Sequence, residues 1–353
     1  MWRAARRLAL PGEAQTPAQW AEGGSSWLAS AKLKLVDGCN LRCFMCNYWH
    51  RRRKDELSTE AVAAVIDDLA ALGCQKLHLT GGELYMRRDV NDLVAHASEQ
   101  GMRVNLTTNG TLIDKEQVKA LLKVPARSVT VSLDAPTARV HDSIRGRAGA
   151  WKKTTRTLDR LLARRGPKTK VRLNTVVSRR NLHTLTGWAD FLRERPIDGW
   201  LLIPMDEAGE DTDHLTAADI AWYTATVAPL LASRIQVPGF DPWLYGRSDA
   251  DRDHAASGRF ARGYYAKQRC YAPWAHTLVG PTGDVYPCCQ LHRRMTPLGN
   301  VRDKPLRQIF ADDPYVQLRR SLWRERGEWC HRCADFLEEN AAIEEVVRWP
   351  ASS

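Results

Sequence analysis

The sequence has no apolar run near the roughly 18 residues that a membrane-spanning helix needs, and no secretory signal. Its basic opening, Met1-Trp2-Arg3-Ala4-Ala5-Arg6-Arg7, is followed by only Leu8-Ala9-Leu10 before Pro11, too short an apolar core for export. Both absences lead us to expect a cytosolic protein. RNA-binding signatures and Cys/His finger spacings are missing, and basic residues are scattered in pairs such as Arg87-Arg88, Arg179-Arg180 and Arg293-Arg294. Neither nucleic acid nor a membrane is therefore an expected partner. There is no low-complexity tract, and no internal repeat beyond a strand–helix alternation. Acidic residues are the scarcer charge. The 41 Asp and Glu stand against 52 Lys and Arg, a formal net charge of +11, which suits either a solvated basic surface or an anionic substrate. With 353 residues, 26% charged and 44% hydrophobic, the composition is that of a globular chain holding one large α/β domain and a smaller module.

Nine cysteines in a reducing compartment do not make a disulfide framework, so metal or cluster ligation is the first use to test. Seven fall into spaced groups: Cys39, Cys43 and Cys46, then Cys270, Cys288, Cys330 and Cys333. Cys74 and Cys289 are left over, and we expect both to be packing residues.

From Lys32 onward strands and helices alternate. Strands are expected at Lys32–Val36, Lys76–Thr80, Arg103–Thr107, Ser128–Leu133, Lys170–Val177 and Gly199–Ile203. Between them, Val62, Val65, Ile66, Leu69 and Leu72 share a helical face behind a Ser58 cap, and further helices are expected at Val90–Glu99, Lys115–Leu122, Trp151–Arg164 and Leu182–Glu194. Six βα units need right-handed crossovers and so a parallel sheet, too few for a closed eight-stranded barrel. The fold class expected is α/β: a partial (β/α)6 TIM-like barrel with a small C-terminal module that carries the second cysteine group, active-site loops lying at the C-terminal ends of the strands. Residues 1–30 read as an extension packed on the main domain and 31–235 as the barrel. Residues 236–353, which follow a helical stretch Ala217–Ser233, read as linker and auxiliary module.

Cys39-Asn40-Leu41-Arg42-Cys43-Phe44-Met45-Cys46 places three cysteines on one short loop after the first strand. Four would saturate a 4Fe–4S cluster, whereas three leave one iron open to another ligand. A zinc knuckle completed by His50 is the alternative, but zinc favours paired ligands from two arms. The loop resembles the signature of radical S-adenosylmethionine enzymes, in which the open iron is chelated by the cofactor's methionine. That resemblance implies that Gly81, Gly82 and Glu83 in Thr80-Gly81-Gly82-Glu83 hold the methionine amino group. It further implies that Thr108 and Asn109 with Ser132 and Asp134 meet its carboxylate and the ribose, that Asn174 touches the ribose, and that Ile203 borders the adenine. Two positions depart from the pattern: Met45 where an aromatic residue is commoner, and Leu84 where proline commonly follows.

The second cysteine group, with Gly283-Asp284-Val285-Tyr286-Pro287-Cys288, Leu298-Gly299-Asn300-Val301 and Cys330-His331-Arg332-Cys333, would also suit structural zinc. It resembles the SPASM or twitch auxiliary-cluster domains of the same superfamily, in a one-cluster version similar in cysteine spacing to 2-deoxy-scyllo-inosamine dehydrogenase. Two 4Fe–4S clusters, S-adenosylmethionine and an external one-electron reductant of flavodoxin or ferredoxin type follow as the implied cofactors and partner. Candidate catalytic residues are Tyr48, Arg145, Asp206 and Glu207, with His141 beside them and Asp206 first for a substrate hydroxyl or amine.

The function expected from this resemblance is dehydrogenation or epimerisation of a hydroxylated small molecule, such as an aminocyclitol, sugar or nucleoside, in natural-product biosynthesis. The alternative is maturation of a ribosomally made peptide, against which we set the want of a separate leader-binding domain in about 30 N-terminal residues. A non-enzymatic iron–sulfur or zinc protein that binds nucleic acid is the reading from another class.

Overall fold

The structure is a computed structural model, and it describes residues 17–25, 27–51, 54–205, 213–336, 339–341 and 343. Its strands are β1 (Ser30–Lys34), β2 (Lys76–Thr80), β3 (Arg103–Thr108), β4 (Ser128–Ser132), β5 (Lys170–Val177), β6 (Gly199–Pro204), β7 (His276–Val279) and β8 (Val285–Tyr286). They form one sheet in the order β6-β5-β4-β3-β2-β1-β7-β8, parallel except for the β7–β8 pair. The expected α/β partial barrel is what the chain forms. The difference is its breadth: two strands from beyond the sixth unit extend the same sheet, with β7 directly beside β1. Four residues of His276-Thr277-Leu278-Val279 are too short a run to announce a strand, and their pairing with β1 lies about 246 positions away.

Strand periodicity assigns the two faces. Leu33, Leu77, Leu79, Val104, Leu106, Val129, Val131, Val171 and Leu173 are buried against the helical layer, and Lys32, Lys34, His78, Asn105, Thr107, Ser132 and Asn174 point to the inner face. The helices leading into the barrel are α1 (Pro17–Ala21), α2 (Thr59–Ala71), α3 (Val90–Glu99), α4 (Lys115–Lys123), α5 (Ala138–Arg145) and α6 (Ala150–Arg164). Ser58 caps α2 as its sequence suggests, its hydroxyl accepting from the Ala61 N–H.

Three local expectations shift. β1 ends at Lys34, because beyond it Val36 gives its carbonyl to the Gly82 N–H and Asp37 gives its N–H to Glu56 Oε1. The stretch 182–194 divides into a 3-10 turn at Leu182–Gly187 and a short helix α7 (Trp188–Leu192), since the buried Asn181 amide draws the chain onto the carbonyls of Asp134 and Val176. The stretch 217–233 is α8 (Ala217–Trp222) and α9 (Ala228–Arg234) around a π turn, where Pro229 has no N–H to continue the ladder.

Of the N-terminal extension, residues 1–16 lie outside the described part. Trp20 packs on Tyr271 and Trp274. Arg319, fully buried on the helix Asp313–Arg324, donates to the carbonyls of Gly23, Pro273 and Phe310 and stacks on Phe310 and Tyr315. One guanidinium thus clasps the N-terminal segment to the C-terminal region.

Candidate functional site

The loop after β1 is positioned by the loop after β2. Gly82 N–H donates to Val36 O at 2.8 Å and Glu83 N–H to Gly38 O at 3.0 Å. A Cβ on Gly82 would sit 1.8 Å from Gly38 O, so this backbone approach is open to glycine alone. Directly beyond Gly38, Cys39, Cys43 and Cys46 share one small cluster with Leu41, Met45 and Ala150. Burial pushes the Cys39 thiol up to about 11, with Cys43, Glu83 and Cys46 adding to it, and burial also raises Cys43 against the pull of Arg145. Thiols that disfavour one another's ionisation, Cys43 buried and Cys39 and Cys46 partly so, fit a site completed by positive charge, which reverses that balance.

Glu83 has no exposed surface. Its carboxylate accepts from Thr108 Oγ1 (2.6 Å), the Asn109 N–H (2.7 Å) and the Tyr85 N–H (3.1 Å), while burial still raises its pKa. Through the Thr108 and Asn109 contacts it fixes the loop after β3. Asn109 passes that order on, donating to Asn40 Oδ1 at 2.9 Å and lying 3.7 Å from Cys39 Sγ. Thr154 and Thr157 of α6 donate to the carbonyls of Asn109 and Gly110. Asn40, Thr154 and Thr157 went unnoticed in the sequence, where only the i, i+3 spacing of the two threonines on one face of α6 could have pointed to them.

Asp134 is likewise sealed. It pairs with Arg145 at 2.7 Å, accepts from the Val176 N–H, and its own N–H donates to His141 Nδ1 at 3.1 Å. Arg145 in turn lies 3.7 Å from Cys43 Sγ; burial works to lower its pKa, and the Asp134 and Cys43 charges outweigh that and raise it. Arg145, Asp134 and His141 therefore stand behind the three-cysteine loop. Ser132 and Asn174 are register partners on the inner face, with Leu201 next in the row and half-buried Ile203 two residues on. Asp206 and Glu207 lie outside the described residues.

The second group also assembles. Burial, and then the neighbouring cysteines, raise the thiols of Cys270, Cys288 and Cys333: Cys330 acts on Cys270 and Cys288, and Cys270 and Cys288 act on Cys333, with Cys270 pushed up to about 11. Beside Cys270, Asn340 donates to the Tyr265 hydroxyl at 3.0 Å and accepts from the Tyr271 N–H at 2.8 Å, and both side chains favour the Cys270 thiolate. Among the described residues no three Cys, His, Asp or Glu side chains, at either cysteine group, converge as a single bound ion requires.

Between the two groups lies the inner face of β1. Lys32 is in hydrogen-bonding contact with Cys289; burial would lower its pKa, but Cys289 and Asp335 outweigh that and keep it an ammonium. Cys289 thus faces the interior rather than merely packing, whereas Cys74, pushed up to about 12 by burial, sits at the start of β2 against the Lys76 carbonyl. Above Lys32, Lys34 contacts His292 Nδ1 at 3.0 Å, and Lys34, Arg51 and Arg293 surround the Tyr48 ring at 5.0, 5.5 and 5.6 Å. A cavity of about 470 Å³ opens between the ends of β5 and β6, lined by Val177 and Met205, and the helix Glu328–Arg332 that carries Cys330, lined by His331 and Arg332.

Residues 33–192 match the model of the radical SAM superfamily, and residues 270–334 that of the iron–sulfur cluster-binding domain SPASM. The chain is 30% identical over 295 residues to mycofactocin maturase MftC of Mycobacterium ulcerans, covering 81% of this chain and 75% of the relative. It is 29% identical over 292 residues to AdoMet-dependent heme synthase of Methanosarcina barkeri, covering 79% and 81%. To PqqA peptide cyclase of Granulibacter bethesdensis it is 28% identical over 322 residues, covering 85% and 78%. These likenesses overturn the expectation of an aminocyclitol, sugar or nucleoside substrate, because the proteins that share most of the chain's length are named for peptide and haem chemistry. Cysteine spacing misled here: it counts ligands of the auxiliary centre, and substrate choice lies in the loops.

Proposed function

Because the chain belongs to the radical SAM superfamily and carries a SPASM domain, we propose that it is a radical maturase of a ribosomally made peptide, abstracting a hydrogen atom from one of its side chains. S-adenosylmethionine with one 4Fe–4S cluster supplies the one-electron cleavage that makes hydrogen abstraction possible, and a second, auxiliary 4Fe–4S cluster accompanies it. In this reading Cys39, Cys43 and Cys46 hold the first cluster, and Cys270, Cys288, Cys330 and Cys333 the second. Gly81 and Gly82 admit the cofactor's methionine to the backbone, and Ser132, Asn174 and Ile203 line its ribose and adenine. Glu83, Asn109, Asp134 and Arg145 position the loops that do this.

The observation that carries the peptide reading is the open edge of β6 beside the cavity. The Lys170 N–H bonds Arg127 O and the Leu133 N–H bonds Asn174 O, so the even-numbered residues of β5 face β4 and the odd-numbered ones face β6. In the register that pairs Leu173 with Trp200, residues 199, 201 and 203 turn their backbone groups to β5, so Trp200 and Leu202 turn theirs outward. No described residue bonds them there, and Leu201 is 57% exposed. Edge strands are ordinarily blunted by charge, bulges or cover. An uncharged edge, Gly199-Trp200-Leu201-Leu202-Ile203, leading into the cavity suits an extended peptide added as a further strand.

A second reading, haem-type tetrapyrrole chemistry, is favoured by Lys34, Arg51 and Arg293 around Tyr48, a cationic group suited to carboxylates. One experiment separates them. The reduced enzyme is given S-adenosylmethionine with either a short peptide encoded beside its gene or iron coproporphyrin, and products are read by mass spectrometry. Deoxyadenosine formed in step with a peptide lighter by two hydrogens supports the first reading, and conversion of the porphyrin with an untouched peptide overturns it.

A further inference from the structure

Helix α6 begins at the three-cysteine loop and carries a stripe of cations away from it. Lys152, Lys153, Arg156 and Arg164 are exposed and Arg160 half-buried, while Arg42 and Arg147 are exposed at its N-terminal end. None of the seven forms an ion pair with a described residue. The nearby acids are spent elsewhere: Asp142 accepts the N–H groups of Gly149 and Trp151, and Asp159 pairs with Arg195. Lys152, Arg156, Arg160 and Arg164 recur every four residues and line one shallow depression with Asp159. Like charges at that spacing destabilise a helix, a cost that an anionic partner would reverse.

Position distinguishes this stripe from an ordinary solvated face. Ala150, the first residue of α6, packs among Cys39, Cys43 and Cys46, and Arg147 donates to Asn40 O at 2.8 Å. At a rise of about 1.5 Å per residue, Arg156 lies about 9 Å along the helix from that contact and Arg164 about 21 Å. The positive end of the helix dipole adds to the field over the cysteine loop.

We propose that the N-terminal half of α6, with Arg42 and Arg147, is the docking surface for an acidic one-electron donor protein of the flavodoxin or ferredoxin class, Arg160 and Arg164 steering its approach. One electron leaves the donor's reduced flavin or cluster and enters the cluster held by Cys39, Cys43 and Cys46; no bond is made or broken and no proton moves. The inference rests on the family's need for a reductant and is independent of the substrate.

The test uses the holoenzyme and a flavodoxin of net negative charge. The triple variant K153E/R156E/R160E should bind the flavodoxin at least about tenfold more weakly by calorimetry, and its flavodoxin-driven cleavage of S-adenosylmethionine should fall to match and lose its sensitivity to salt. Dithionite-driven cleavage should stay within about twofold. The milder K153Q/R156Q, which keeps helix-forming side chains, should show a smaller loss of the same pattern. Unchanged flavodoxin affinity overturns the proposal. So does an equal loss with dithionite, which would make the stripe a support of the cysteine loop, or weaker binding of an acidic precursor peptide with flavodoxin binding intact.

Discussion

Glu83 shows how one side chain can be legible in its identity and hidden in its duty. The Gly-Gly-Glu motif marked it as a cofactor contact, and its carboxylate also accepts from Tyr85 on its own loop and from Thr108 and Asn109 at the end of β3, partners that no local pattern announces. Glu83→Gln would turn an amide N–H toward a backbone donor and should destabilise the protein by about 2 kcal/mol. Thermal unfolding reads this directly, and iron retained by the first cluster should fall with it; an unchanged melting temperature would return Glu83 to a role in cofactor contact alone. His78 tests the inner face in the same way. Burial, then Lys32 and Lys76, hold its pKa down at about 3, and its Nε2 contacts Thr107 Oγ1 at 2.8 Å. Its folded pKa is below its unfolded value of about 6.5, so its contribution is complete above that value and lost as pH falls below it, by at most about 1.4 kcal/mol per unit. Between pH 7 and 5 the wild type should lose more stability than His78→Gln, measured by urea unfolding at each pH. Parallel pH profiles would show that the imidazole is not held neutral.

Elements were read best where their signals are local. β2 and β5 have the ends that their apolar alternation indicates, and α2 keeps its Ser58 cap, because hydrophobic period and capping chemistry lie within a few residues. The sequence was silent where long-range contacts decide: Asn181 bonds Asp134 O and shortens a helix, and β7 finds β1 across the whole barrel. The candidate site divides likewise. Its cysteines and glycines stand in contiguous motifs, whereas Asn40, Thr154 and Tyr265 act through partners far along the chain, Tyr265 through Asn340. The contact of the loops after β1 and β2 is the sharpest element-level case. Gly82→Ala would drive a methyl group into Gly38 O, forcing apart the loop that presents Cys39. Reconstituted protein should drop from about eight iron atoms to about four, the auxiliary cluster remaining, and should no longer cleave S-adenosylmethionine. Full iron content would show that the two loops can separate without cost to the first cluster.

At the scale of the molecule, the two cysteine regions share one sheet. β7 pairs with β1 in parallel register, the Ala29 N–H donates to Ala275 O, the Leu57 N–H to Pro281 O, and Arg293 pairs with Asp37 at 2.8 Å. Tyr315, from the helix Asp313–Arg324, donates to His276 O on β7. A C-terminal module that hung from the barrel by a linker would unfold on its own; one whose strand lies between β1 and β8 exposes the edge of β1 and its apolar layer when it leaves. The auxiliary cluster is then bound up with the stability of the barrel, because Cys270 precedes β7 closely and Cys288 follows β8 by two residues. Holoenzyme heated under anaerobic conditions should lose far-UV ellipticity and iron–sulfur absorbance in one coincident transition. The double variant C330A/C333A, retaining about four iron atoms, should shift that whole transition downward rather than produce a second one. Two separated transitions in the wild type, or a variant whose barrel melts where the wild type does, would show that the shared sheet does not couple the two regions.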